Sequence, residues 1–170
     1  QVIERKYEVN GEKTNYFSFL FLKCSAHMSH KSKLSIVSRA VESVQKEGFD
    51  ETERFEKQMR AKSIIQEEIA ERGGFVVEEL AEKIFAGKPE QREKFQEKME
   101  RYDMVREEVQ PRSDATVKKY QTQHLLTDTG IELKIPMDQY KDKDRVEFIT
   151  EADGSISVVL RRIGHIQAKL

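Results

Sequence analysis

One change of rhythm constrains this 170-residue chain more than any other feature. Upstream of Gly130 the apolar residues recur mostly at spacings of three and four, the period of a helix with one buried stripe. From Gly130 onward Ile131, Leu133 and Ile135 alternate with Glu132 and Lys134, the period of a strand with one buried face. Val146, Phe148 and Thr150 continue that alternation, and Asp153-Gly154 then leads into Ile156, Val158 and Leu160. Asp-Gly between alternating runs is a strong hairpin signal. Helices first and hairpins last predict an α+β fold rather than a doubly wound sheet. The prediction is a helical N-terminal and middle part containing an aromatic strand, followed by a C-terminal antiparallel unit of three strands, a meander or hairpin.

Individual elements can be placed within that frame. Asn15-Tyr16-Phe17-Ser18-Phe19-Leu20-Phe21-Leu22-Lys23 is aromatic and too short for a buried helix, so it reads as a central strand. The small, polar, basic stretch from Cys24 to Lys33 reads as a loop. Leu34, Val37, Ala40, Val41 and Val44 then mark a helix that Gly48 can end. Asp50, with Glu53 three residues on, can cap a second helix whose core face is Phe55, Met59, Ile65 and Ile69 and whose stop is Gly73-Gly74.

A short helix is expected over 78–85. Gly87 breaks it, and Pro89 opens a mostly charged helix with Phe95, Met99 and Tyr102 as a thin apolar stripe. After Pro111, Ser113 can cap a helix with Val117, Tyr120, Gln121, His124 and Leu125 on one side. These readings divide the chain into 1–48, 49–110 and 111–170. The chain opens with Gln1, and is expected to be a piece of a longer protein.

Composition narrows the class. No stretch approaches the roughly 20 apolar residues needed to cross a bilayer, no signal-peptide pattern opens the chain, and no membrane partner is expected. The single cysteine, Cys24, cannot form an intrachain disulfide, which makes a reducing cytoplasm the default. The formal net charge is only −1, but it is unevenly spread. Residues 1–46 carry eight Lys or Arg against four Glu, with no acid at all between Glu12 and Glu42. Residues 47–87 reverse this, with eleven acids against six bases. Residues 111–127 are basic again, 128–153 acidic, and 154–170 hold Arg161, Arg162 and Lys169 without an acid. Such blocks either neutralise one another across the fold or present a local positive surface to a polyanion.

Catalytic signatures are missing. There is no glycine-rich phosphate loop, no strand-flanked GxGxxG and no GxSxG elbow, and the carboxylates lie on charged helices beside lysines. No enzyme activity and no cofactor are expected. Cys24, His27 and His30 lie within seven residues, with His124 a conceivable fourth zinc ligand, but structural zinc sites draw on paired Cys-rich knuckles and only one is here. No metal is expected. His165 reads as a surface or packing residue.

The last third carries a resemblance. Thr129-Gly130-Ile131-Glu132-Leu133-Lys134-Ile135-Pro136, Asp142-Lys143-Asp144-Arg145-Val146-Glu147-Phe148-Ile149 and Asp153-Gly154-Ser155-Ile156-Ser157-Val158 together resemble the end of the bacterial 37-kDa nucleoid-associated protein family, in its Gram-positive form. Tyr16–Leu22, the helix Leu34–Val44 and the segment Gly74-Phe75-Val76-Val77-Glu78-Glu79-Leu80 resemble the family's aromatic strand, following helix and short linker helix. The Cys24–Lys33 loop departs from it, and Val76-Val77 makes a poor N-cap where the family often has Ser or Asp. The resemblance covers most of the chain as the C-terminal half of a member. It implies non-catalytic binding of double-stranded DNA in the bacterial nucleoid, and it supplies no motif of contact residues.

Under that implication the expected contacts are phosphate contacts from Lys and Arg. Lys23, Lys31, Lys33 and Arg39 in the acid-free stretch are the leading candidates, with Arg112, Lys118, Lys119, Arg161 and Arg162 behind them. The rival expectation is a protein-interaction or homodimerisation module whose DNA contacts lie in an N-terminal part outside this chain. The acidic helical middle, which repels phosphate, favours that rival.

Overall fold

The computed structural model describes residues 28–168 and, as backbone, 6–9 and 12–15. Strands β1 (Lys6–Val9) and β2 (Glu12–Asn15) form an antiparallel hairpin. The aromatic run from Tyr16 expected as a central strand, and Lys23, Cys24 and His27, lie outside the described residues.

Helix α1 (His30–Gly48) begins where the Ser29 hydroxyl accepts from the Ser32 amide at 3.1 Å. It buries the predicted stripe of Leu34, Val37, Ala40, Val41 and Val44. Helix α2 (Glu51–Arg72) starts at the predicted cap, with the Asp50 carboxylate accepting from the Glu53 amide at 2.9 Å. It ends on Gly73 in the left-handed conformation, φ 73°. Strand β3 (Phe75–Val76) runs directly into α3 (Val77–Ile84), which has no side-chain cap, as the valines foretold. Helix α4 (Pro89–Glu100) follows with its proline in the first turn.

These helices share one core. Leu34, Val37 and Val44 of α1, Ile65 of α2, Leu80 of α3 and Phe95 and Met99 of α4 are all buried in it. Phe85 and Phe95 meet with ring centroids 5.6 Å apart. Full burial of a side chain of this size is worth about 1.5–3 kcal/mol, so this packing rather than helix propensity holds α4, whose surface is almost wholly charged. Tyr102, expected on the same stripe, instead lies past the helix end and is 52% exposed.

Strand β4 (Glu108–Val109) pairs antiparallel with β3 and closes the helical part. Helix α5 (Asp114–Tyr120) is shorter than expected. His124 and Leu125, placed on that helix by their spacing, belong instead to β5 (Thr122–Leu126). This strand pairs with β6 (Glu132–Pro136) in the register Thr122↔Pro136 to Leu126↔Glu132. The reason is the burial of Gln123, whose carboxamide donates to the Met59 carbonyl at 3.0 Å while its neighbours Thr122 and His124 face outward.

A short helix α6 (Met137–Lys141) leads to β7 (Val146–Thr150), which pairs with β8 (Ile156–Leu160) across the predicted Asp153-Gly154 turn. The C-terminal antiparallel unit is therefore two separate hairpins of four strands, not one unit of three. A period of two announces strands but does not say which strand is whose partner. Both hairpins lean on α2, β5 through the Gln123–Met59 hydrogen bond and β7 through Phe148, which packs on Phe55 with centroids 5.6 Å apart; between them Lys141 of α6 reaches Glu67 at 2.9 Å. Among the described residues no helix is long and apolar enough to cross a membrane.

Candidate nucleic-acid interface

Helix α1 organises the candidate surface. Its buried stripe fixes which way the rest of the helix faces, and at 100° per residue Lys31, Ser35, Arg39, Glu42 and Lys46 fall within one outward arc. The three cations of that arc are exposed and none has a carboxylate partner among the described residues. At 1.5 Å per residue they extend along about 22 Å of helix. Glu42 is the one acid among them.

Lys33, two residues from Lys31, behaves differently. Its side chain turns inward and forms an ion pair with Glu107, just before β4. Its neighbour His30 accepts at Nδ1 from the Gln110 amide at 3.0 Å. Both side chains thus tie the start of α1 to the β4 segment. His30 is engaged with backbone, and His124 faces Glu132 at 3.5 Å. Among the described residues no group of three or more His, Cys, Asp or Glu could hold a metal.

Arg39 stands at a groove of about 250 Å³ between α1 and the end of α4. Ile36, Ala40 and Ser43 form one wall, and Lys98, Arg101 and Tyr102 the other. The Arg39 Nε donates to the Ser35 carbonyl at 3.2 Å, and the outer nitrogens of the guanidinium have no partner among the described residues. Lys98 is held by Glu47 at 2.9 Å, and Ser43 donates to the same carboxylate at 3.0 Å. The hydrogen bond from Lys98, and then that from Ser43, draws the Glu47 pKa below its usual 4.5. Arg101 has no ion pair among the described residues. Two guanidinium groups and an exposed phenol ring therefore border a groove with no carboxylate in its lining. Planar guanidinium forks suit phosphate oxygens.

On the other flank of α1, Ser38 Oγ and the Tyr120 hydroxyl are 2.7 Å apart, which fixes α5 against α1. Lys118 and Lys119 are exposed on α5, and Arg112 is exposed in the segment before it, none with an acidic partner among the described residues. Burial, opposed by the hydrogen bond with Ser38 and aided by Glu42, raises the Tyr120 pKa. Arg161 and Arg162 are committed elsewhere, to Glu147 at 2.5 Å and to Asp144 at 3.3 Å.

Of the residues nominated from sequence, Lys31 and Arg39 thus share one helix face, with Lys118 and Lys119 on the helix beside it. Lys33, Arg161 and Arg162 are ion-paired, and Lys23 is outside the described residues. Lys46 and Arg101 were not nominated. The spacing 31, 35, 39, 42, 46 could have revealed Lys46, whereas nothing in the charged run 88–102 singles out Arg101.

Comparison with known proteins adds identity to this geometry. The NA37 family model, nucleoid-associated protein YejK, matches residues 1–166. No curated protein and no solved structure matches the chain. A family match over nearly its whole length shows that the chain belongs to the family of nucleoid-associated protein YejK.

Proposed function

We propose that this protein binds double-stranded DNA in the bacterial nucleoid, without catalysis, by contacting phosphates from the outward face of α1. The observation that carries this reading is the disposition of its cations: Lys31, Arg39 and Lys46 share one exposed helix face with no acidic partner among the described residues, while Lys33, Arg161 and Arg162 are paired with acids. Arg101 widens that face toward α4, and Lys118, Lys119 and Arg112 extend it toward α5. Phosphate contacts of this kind carry little sequence information and weaken steeply with salt.

The test is duplex binding measured as a function of salt for the wild type and for Lys31→Glu/Arg39→Glu. Losing two phosphate contacts flattens the slope of log K against log salt by about 2. Equal affinity and slope in the double variant would remove α1 from the interface. Lys33 is the wrong residue to reverse, because Lys33→Glu would set two carboxylates against each other at the Glu107 contact.

A second reading, the interaction or homodimerisation module, draws on a different observation. Leu126 (71% exposed), Ile131, Leu160, Ile163 and Ile166 (77% exposed) leave apolar surface on and beyond the two hairpins. Exposed apolar side chains that gather into one patch mark partner surfaces. A chain that shifts no duplex at low salt yet elutes as a dimer supports this reading over the first.

A further inference from the structure

One edge of the β7–β8 hairpin is open. Its sheet contains only these two strands, so the outer side of β8 pairs with no other strand among the described residues. Which backbone groups lie on that side follows from the ladder. The Arg161 amide donates to the Arg145 carbonyl at 2.8 Å, and the Glu151 amide to the Ser155 carbonyl at 2.9 Å. Hydrogen-bonded and non-hydrogen-bonded positions alternate in an antiparallel pair, so Val159 and Ser157 also bond inward, to Glu147 and Ile149. The N–H and C=O groups of Ile156, Val158 and Leu160 therefore point outward along the open edge.

Such an edge is a template for a further strand, and edge strands are usually blunted by charge or proline. Strand β6 carries Glu132, Lys134 and Pro136, and β7 carries Glu147. Strand β8 (Ile-Ser-Val-Val-Leu) has neither device, and its Ile156 and Leu160 are 38% and 48% exposed. The open stretch is also bounded. Asp153-Gly154 turns the chain at one end, and Arg162, at φ 57°, bends it away at the other.

The sequence of β8 fits itself. About a two-fold axis through Val158, an antiparallel second copy sets Ile156 against Leu160, Ser157 against Val159 and Val158 against Val158. That register uses every outward backbone group of the strand, about six hydrogen bonds in all. It places apolar side chains opposite apolar ones and brings no like charges together. It also sets Arg161, paired within its own chain with Glu147, against Ser155 of the other copy. The amide and hydroxyl of Ser155 donate to the Asp153 carboxylate at 2.9 and 2.7 Å, so opposite charges approach at both ends of the ladder.

We propose that two copies of this protein associate through β8, in that register, to form one four-stranded sheet in the order β7-β8-β8-β7. The inference rests on the homodimerisation reading and names its interface; duplex binding by α1 does not enter it. Assembly closes at two copies because the edges of the new sheet are the β7 strands, which carry Glu147. The added strands also steady a hairpin that is marginal as a pair.

Sedimentation velocity of the full chain over a range of concentrations reads the association. Ile156→Lys/Leu160→Lys and Ile156→Lys/Leu160→Glu remove the same two apolar side chains, but the first sets like charges opposite each other and the second opposite charges. The first variant should dimerise about tenfold more weakly than the second. In the wild type, amide exchange should slow with rising concentration at Ile156, Val158 and Leu160, but not at Ser157 and Val159, whose amides already bond to β7. A chain that stays monomeric at every concentration overturns homodimerisation and this interface with it. A dimer in which the two variants associate equally, or in which the concentration-dependent protection falls on β5 or β6, keeps homodimerisation and overturns pairing through β8.

Discussion

Gly73 and Gly74 look alike in the sequence, where both read as a helix stop, yet they are glycines for different reasons. Gly73 takes the left-handed backbone at the end of α2, and a side chain there would meet nothing. Gly74 sits where β3 and β4 approach, and a Cβ on it would lie 2.3 Å from the Val109 carbonyl oxygen. Backbone cannot move aside as a flexible side chain can. Gly74→Ala is therefore expected to destabilise the fold by about 2–3 kcal/mol, read from chemical denaturation, against about 1 kcal/mol for Gly73→Ala. A Gly74→Ala variant as stable as the wild type would show that the β3–β4 approach is soft. Lys31 and Lys33 make the same point in charge. Both belong to one acid-free run, but Glu107, far along the chain, takes the second and leaves the first.

Between elements, α1 and α4 are clamped by a short polar network as well as by the core. Glu47 near the end of α1 receives Lys98 of α4 and Ser43 of its own helix. The lowered Glu47 pKa gives the clamp a definite pH dependence. Because the folded value is depressed, the contribution is complete above the unfolded pKa and is lost as pH falls through the folded one. Lys98→Met should bring the Glu47 pKa back up toward 4.5, which carbon-detected NMR titration would read directly. An unmoved Glu47 would mean that Ser43 alone sets it. The α5–β5 boundary lies on the same scale. Val117, Tyr120, His124 and Leu125 keep helical spacing on paper, but Gln123 finds its hydrogen bond on the Met59 carbonyl of α2, and pairing with β6 follows.

Across the whole molecule, stability and charge are unevenly distributed. The core joins α1 through α5, whereas β7 and β8 expose many of their positions and attach to α2 chiefly through Phe148 and Phe55. Regions with few buried apolar contacts open most readily. Amide exchange should accordingly be slowest in the middles of α1 and α2 and clearly faster in β7 and β8. Equal protection across both would indicate that the hairpins unfold only with the core. The cations are arranged on this scale too: several of those without an acidic partner among the described residues lie on α1, α2 and α5, while Arg161 and Arg162 at the C-terminal hairpin pair with nearby acids.

Local chemistry determined a good deal by itself. Caps at Ser113 and Asp50, the stop at Gly73, the apolar stripe of α1, the hairpin at Asp153-Gly154 and the α+β class all follow from rules that act within a few residues. Ser113 nonetheless caps by position only, with no side-chain hydrogen bond. What tertiary structure alone decided was partnership: β5 with β6, Lys33 with Glu107, Arg161 with Glu147, and Gln123 with the Met59 carbonyl. A charge becomes available or neutral according to what lies within a few ångströms of it, and no periodicity along a chain encodes that distance.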